Sequence, residues 1–208
     1  MSTFEMDPGM PTETPRSRAK SDRRDQLIAA AERLVAEHGY LSVRLEDIGA
    51  AVGVSGPAIY RHFANKEALL VELLVGISTR LLAGGQSVVA EAAGAREALD
   101  GLIEFHLDFA LGESNLIRIQ DRDLSHLPAA AARQVRKAQR QYVEIWVDVL
   151  RRIDPDIDEA DARVMAHAAF GLLNSTPYSL KAPSTTHSSR PVLRAMTVAA
   201  LTAAHRNP

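Results

Sequence analysis

Residues 45–64 read Leu45-Glu46-Asp47-Ile48-Gly49-Ala50-Ala51-Val52-Gly53-Val54-Ser55-Gly56-Pro57-Ala58-Ile59-Tyr60-Arg61-His62-Phe63-Ala64. The pattern predicts two short helices, about Leu45–Val52 and Gly56–Phe63, crossing at a steep angle. Such a pair needs a small residue where the backbones approach, a glycine in the turn, and apolar side chains in the shared corner. Gly49 meets the first need and Gly53 the second. Ile48, Val52, Val54, Ile59 and Phe63 meet the third, at spacings that place them on inward faces. Ser55 is placed to cap the second helix of the pair. The arrangement is a helix-turn-helix.

The outward residues indicate what this corner would touch. Gly56, Pro57 and Ala58 are small, and suit close approach to base edges or a thymine methyl. Arg61 has the planar fork that pairs with guanine. Tyr60, His62 and Lys66 are of the types that contact phosphate, as are helix N-termini. Taken together on one helix and its flank, these residues point to double-stranded DNA.

Before the corner, Leu27, Ala31, Leu34 and Val35 form one apolar stripe and predict a helix over Asp22–His38, capped by Ser21 and ended at Gly39. The preceding residues hold Pro8, Gly9, Pro11 and Pro15 without periodicity, and are expected to be a disordered arm over 1–20. After the corner, Asn65 is expected to cap a fourth helix carrying Leu69–Leu74. Residues 16–66 carry nine Lys/Arg against six Asp/Glu, within a chain whose formal net charge is −2. A locally basic segment on an acidic body suits phosphate binding.

The blocks Leu34-Val35-Ala36-Glu37-His38-Gly39-Tyr40, Leu45 to Ser55, Ile59-Tyr60-Arg61-His62-Phe63, Asn65-Lys66-Glu67 and Leu69-Leu70 resemble the TetR family of bacterial transcriptional regulators. The resemblance covers roughly residues 21–74 and fades beyond 75. It implies a DNA-binding domain over 21–66 and a helical ligand-binding and dimerisation domain over 67–208. It also implies phosphate contacts at Tyr60, His62 and Lys66, and groove contacts at Gly56, Pro57, Ala58 and Arg61. The outcome usual in the family is repression at a palindromic operator, with activation or effector-independent binding as the alternatives.

The rest of the chain reads as all-α. It alternates helical patterns, at about 95–111, 114–124, 128–153, 158–178 and 189–205, with breaks at Gly84-Gly85, Asp154-Pro155 and Lys181–Ser188. Ala166, Ala168, Ala169 and Gly171, then Ala195, Ala199, Ala200, Ala203 and Ala204, allow close packing on two sides. Under the resemblance this implies a homodimer through the last two helices. Candidates for an effector pocket are Phe105, Phe109, Leu116, Tyr142, Trp146, Phe170, Leu173 and Tyr178, with His106, Arg118, Gln120 and Asn174 as polar anchors. This region resembles actinobacterial relatives that sense fatty acids or acyl-CoA.

Other function classes find little support. The chain has no cysteine, which excludes disulfide frameworks, zinc fingers and cysteine nucleophiles. His106, Asp108, His126 and His167 have no tight metal-ligand spacing, so neither catalysis nor a cofactor is expected. No stretch reaches the roughly 18 uninterrupted apolar residues of a membrane span, and no signal-peptide core opens the chain. A soluble cytoplasmic protein is expected.

One position departs from the family pattern. Arg44 stands where Ser or Thr commonly caps the second helix, and loss of such a cap costs about 1 kcal/mol. An arginine at that helix start is placed to reach a phosphate instead. Arg44→Ser should then flatten the dependence of log affinity on log salt by about 0.9, the share of one phosphate on B-DNA. An unchanged slope, measured by anisotropy across a salt series, would refute the contact.

Overall fold

The computed structural model describes residues 15–179 and 183–203. These form ten α-helices: α1 (Pro15–His38), α2 (Leu45–Ala51), α3 (Gly56–Ile59), α4 (Lys66–Glu91), α5 (Ala95–Gly112), α6 (Ser114–Asp123), α7 (Ala129–Ile153), α8 (Glu159–Leu173), α9 (Thr176–Ser179) and α10 (Pro183–Ala203). A single 3-10 turn, Leu124–His126, joins α6 to α7. The all-α expectation holds among the described residues.

Local chemistry accounts for most boundaries. Gly39 has φ +88° and Gly53 φ +72°, the left-handed region that L side chains avoid, so each glycine ends a helix and turns the chain. The Asn65 side chain accepts from the Ala68 N–H at 2.7 Å and starts α4 as expected, and Asp158 does the same for α8 through Ala160. At α2 no side-chain cap forms, as Arg44 in place of Ser or Thr leads one to expect. Instead the Arg44 N–H donates to the Asp47 carboxylate at 2.9 Å, one half of a capping box. Gly49 lies where α2 meets the turn, and a Cβ there would stand 2.9 Å from the Val54 carbonyl oxygen.

Four expectations are corrected. α1 begins at Pro15, so Ser21 is inside the helix rather than its cap, and residues 15–20 are helical rather than part of an arm. Residues 1–14 of that arm lie outside those described. α4 runs through Gly84-Gly85 to Glu91. These glycines make room: a Cβ on Gly84 would collide with the Phe105 ring, and one on Gly85 would stand 2.6 Å from the Tyr142 ring. The expected helix over 158–178 is broken at Asn174, where the buried Thr176 hydroxyl leaves the helical path and donates to the Ala110 carbonyl at 2.7 Å. Finally, α10 starts at Pro183 rather than 189. A proline in a first turn forfeits no helical hydrogen bond. Residues 181 and 182 of the expected loop lie outside those described.

The fully buried side chains form two clusters. The first joins Leu27, Ile48, Ile59 and Phe63 of the helix-turn-helix end to Leu70 and Leu74 of α4, Leu116 and Ile119 of α6, and Val135 of α7. The core of the N-terminal helices therefore continues across residue 66 into the body. The second gathers Leu102, Ile103 and Leu107 of α5 with Trp146 and Leu150 of α7, Ala166 and Leu173 of α8, and Leu201 of α10. α4 is long and apolar enough by composition for a membrane span, yet here it packs against α1, α5, α6 and α7 as the central helix. Outside the cores, α10 is clamped to α5. Arg190 pairs with Glu104 and Asp108, and Arg194 with Asp100 and Glu104.

Gly84→Ala should destabilise the protein by about 1–2 kcal/mol, because displacing Phe105 from a packed seam costs more than alanine's helix propensity returns. A melting temperature at or above that of the parent chain would contradict this account.

Candidate nucleic-acid interface and effector cavity

The helix-turn-helix presents its small residues as expected. α3 is shorter than predicted, with Tyr60, Arg61 and His62 in the turns that follow it. Those turns are held by N–H bonds from Arg61 to the Ala58 carbonyl and from His62 and Phe63 to that of Ile59. Arg44, Ser55, Pro57, Tyr60 and Arg61 are exposed, while Gly56, Ala58 and His62 are half-buried. The Ser55 hydroxyl makes no capping bond.

Three of the predicted phosphate contacts have partners or surroundings that the sequence did not suggest. The Tyr60 hydroxyl donates to Glu46 at 2.6 Å, and this bond holds the Glu46 carboxyl below the usual carboxylate range. His62 is pushed toward its neutral form, first by desolvation and then by Arg24, Lys20 and Arg23 of α1. Its Nδ1 is buried without a partner. Lys66 is the most fully engaged of the three. Its ammonium donates to the carbonyls of Tyr40 (2.8 Å), Leu41 (3.3 Å) and Val43 (3.0 Å) and lies 4.5 Å from the Tyr40 ring centroid. It ties the α1–α2 loop to α4, because carbonyls in a loop outside both helices need a donor from elsewhere.

The α1 cations were underweighted in the sequence. Arg23 donates to the Val52 carbonyl at 3.1 Å. Arg24 donates to the His62 carbonyl, pairs with Glu72 and lies 4.6 Å from the Phe63 ring centroid. With α1 helical back to Pro15, its basic N-terminal half is brought beside the third helix.

A second site lies in the body, a cavity of about 220 Å³ between α4, α5, α6, α7 and α8. Its wall contains Phe109, Tyr142 and Phe170 from the predicted set, with His106, Gln120 and Asn174 from the predicted polar anchors. At its centre the Tyr142 hydroxyl meets His106 Nδ1 at 3.2 Å, and His106 Nε2 meets Asn174 Oδ1 at 3.0 Å. The Asn174 carbonyl facing Nε2 puts the ring proton there, so Nε2–H donates to Asn174 and the Tyr142 O–H donates to Nδ1. The break after α8 places Asn174 for this bond. Burial lowers His106 to about 4, with the Asn174 bond opposing, and also raises Tyr142. Both are uncharged at neutral pH.

The remaining candidates stand elsewhere. Phe105 covers Gly84 on the α4–α5 seam. Arg118 donates to the Pro177 carbonyl, Leu116 and Leu173 are core, and Tyr178 is exposed with its hydroxyl on Asp121. Trp146 is fully buried behind the wall, its ring centroid 5.0 Å from that of Phe170 and 6.4 Å from that of Tyr142. The sequence reading missed Gln139 and His167 in the wall. Their signal was spacing: Gln139 precedes Tyr142 by three residues and His167 precedes Phe170 by three, which puts each pair on one helix face.

Comparison with known proteins agrees with this two-part arrangement. Residues 27–73 match the family description "Bacterial regulatory proteins, tetR family", and residues 92–178 match "Tetracyclin repressor-like, C-terminal domain". The chain belongs to the TetR family of DNA-binding transcriptional regulators. It is 27% identical over 132 residues to the transcriptional repressor KstR2 of Rhodococcus jostii, covering 63% of this chain and 65% of that protein. It is 26% identical over 154 residues to the fatty acid metabolism regulator protein of Bacillus subtilis, covering 73% of this chain and 79% of that one. The fold is shared with AibR, solved in complex with isovaleryl coenzyme A and operator DNA, at a TM-score of 0.70 and 20% identity, covering 84% of this chain and 97% of that one.

His106 also sets a pH dependence. With the folded value near 4 and the unfolded value about 6.5, the unfolded chain binds more protons between them, so stability is full above about 6.5 and falls as pH drops toward 4. The loss from this residue is about 3 kcal/mol. In urea unfolding across that window, His106→Gln should have a shallower pH slope than the parent; equal slopes would contradict the assignment.

Proposed function

We propose that the protein is a ligand-responsive repressor, a soluble cytoplasmic regulator rather than an enzyme, which leaves a palindromic operator when a small amphipathic effector enters the body. The observation that carries this reading is that α6 both lines the cavity and holds the end of α1. Ile117 and Gln120 of α6 line the cavity. Arg122, one turn on, donates to the carbonyls of Val35 and Ala36 at the end of α1 and pairs with Asp123. An effector that favours one setting of α6 thereby biases the helix on which the DNA-binding corner is packed. Its effect is limited to its differential affinity for the two settings.

The pairing of two copies is supported by the outer faces of α8 and α10. Val164, Ala168 and Gly171, and Val192, Met196 and Ala199, recur at spacings of four and three and are exposed. Apolar stripes of this kind on adjacent helices suit an isologous four-helix contact. The operator contacts in this reading come from Arg44, Gly56, Pro57, Ala58 and Arg61, with Tyr60 released from Glu46 on binding. An acyl-CoA effector accords with the names of the Bacillus relative and of the AibR complex.

The test is to isolate chromosomal fragments bound by the protein and titrate the complex with acyl-CoA thioesters of increasing chain length. At least one thioester should lower DNA affinity by about 5- to 150-fold, the usual size of an allosteric coupling. Deleting the gene should raise transcription of the bound promoters. Transcription that falls instead would make the protein an activator, and affinity unmoved by every thioester would remove acyl-CoA as the effector.

A further inference from the structure

Among the described residues, the wall of the 220 Å³ cavity contains no Lys, Arg, Asp or Glu. Its polar groups are three carboxamides (Gln120, Gln139 and Asn174), the Ser78 and Tyr142 hydroxyls, and the imidazoles of His106 and the exposed His167. Two of these are already committed as donors: Ser78 to the Leu74 carbonyl at 2.8 Å, and Tyr142 to His106. Asn174 uses its carbonyl oxygen on His106 Nε2–H. Both amide N–H donors of Asn174 are thereby left in the wall without a partner among the described residues. Tyr142, His106 and Asn174 form a relay that holds those donors in place, and the Phe109 and Phe170 rings beside it are apolar.

A carboxylate brought into this space would lose its hydration without meeting a fixed cation, which is unfavourable. A neutral carbonyl oxygen would lose far less and would find a waiting N–H. The space is also small. At about 30 Å³ for a water-sized group, it holds about seven non-hydrogen atoms, well short of a long acyl chain.

We infer that this cavity takes an uncharged group of about seven non-hydrogen atoms that ends in a hydrogen-bond acceptor, such as a ketone or thioester carbonyl, and that Asn174 is the residue that reads it. The inference deepens the effector reading above and rests on it. It excludes free carboxylic acids in their ionised form, and it directs a bulky or charged remainder of the ligand to the outside.

The test uses the full chain without DNA, at neutral pH, titrated by calorimetry with 2-hexanone and with hexanoate. The ketone should bind at least about tenfold more tightly than the acid anion, since a buried unpaired charge costs more than a satisfied carbonyl. Asn174→Asp keeps an acceptor for His106 and removes the N–H donors, so it should lose about tenfold for 2-hexanone and keep 1-hexanol, which donates. Hexanoate binding as tightly as the ketone, or neither probe binding, overturns the inference. So does an Asn174→Asp protein with parental circular dichroism that binds 2-hexanone unchanged. If that variant does not fold, the ketone-against-acid comparison on the parent chain decides alone. DNA release is not read in this experiment. Hexanoate outcompeting the ketone leaves the effector reading standing, whereas ketone binding without any thioester-driven release defeats only the effector reading.

Discussion

Two cations of the body hold the backbone of the DNA-binding end to the rest of the molecule. Lys66, at the start of α4, donates to three carbonyls of the α1–α2 loop. Arg122, at the end of α6, donates to the carbonyls that close α1. A helix end leaves its last carbonyls without intrahelical partners. Here Arg122 satisfies the Ala36 carbonyl and shares that of Val35 with the Gly39 N–H, while Lys66 serves the loop that follows. The position of α1, of α2 packed on it and of α3 packed on α2 therefore follows α4 and α6. Apolar packing reinforces the link: Leu27, Ile48 and Phe63 share one core with Leu116 and Val135, and the Tyr40 ring under Lys66 stacks on His126 in the turn after α6, at 5.4 Å.

The cavity is built from comparable economies of space. Gly84 and Gly85 let the Phe105 and Tyr142 rings approach the α4 backbone, which brings Tyr142 to His106. The helix break at Asn174 then supplies the third member of the relay. Because burial keeps His106 neutral, the relay is a chain of neutral hydrogen bonds within aromatic walls. Such a network favours one arrangement only when each member is satisfied.

Much of the fold was legible in residue order, because the evidence for it is local. Gly39 and Gly53 turn the chain at positive φ, Asn65 and Asp158 cap their helices, and apolar spacing marked the buried face of α1. The site was legible in part. Phe109, Tyr142, Phe170 and Asn174 do meet at one cavity, whereas Phe105, Arg118 and Trp146 belong to the same helices but face a seam, a carbonyl and the core. Helical periodicity gives the side of a helix, and several partners compete for each side.

What the sequence determined by itself was therefore the helix-turn-helix, the family and the all-helical build, since each depends on residues within a turn or two of one another. Only the tertiary structure decided that Lys66 holds a loop, that Gly84-Gly85 admits two rings rather than ending a helix, and that a tyrosine and a histidine from two helices and an asparagine from the turn after a third form one uncharged relay. Those outcomes depend on unsatisfied carbonyls and close approaches between segments far apart in the chain. Residue order carries no direct record of which donor reaches which acceptor across that distance.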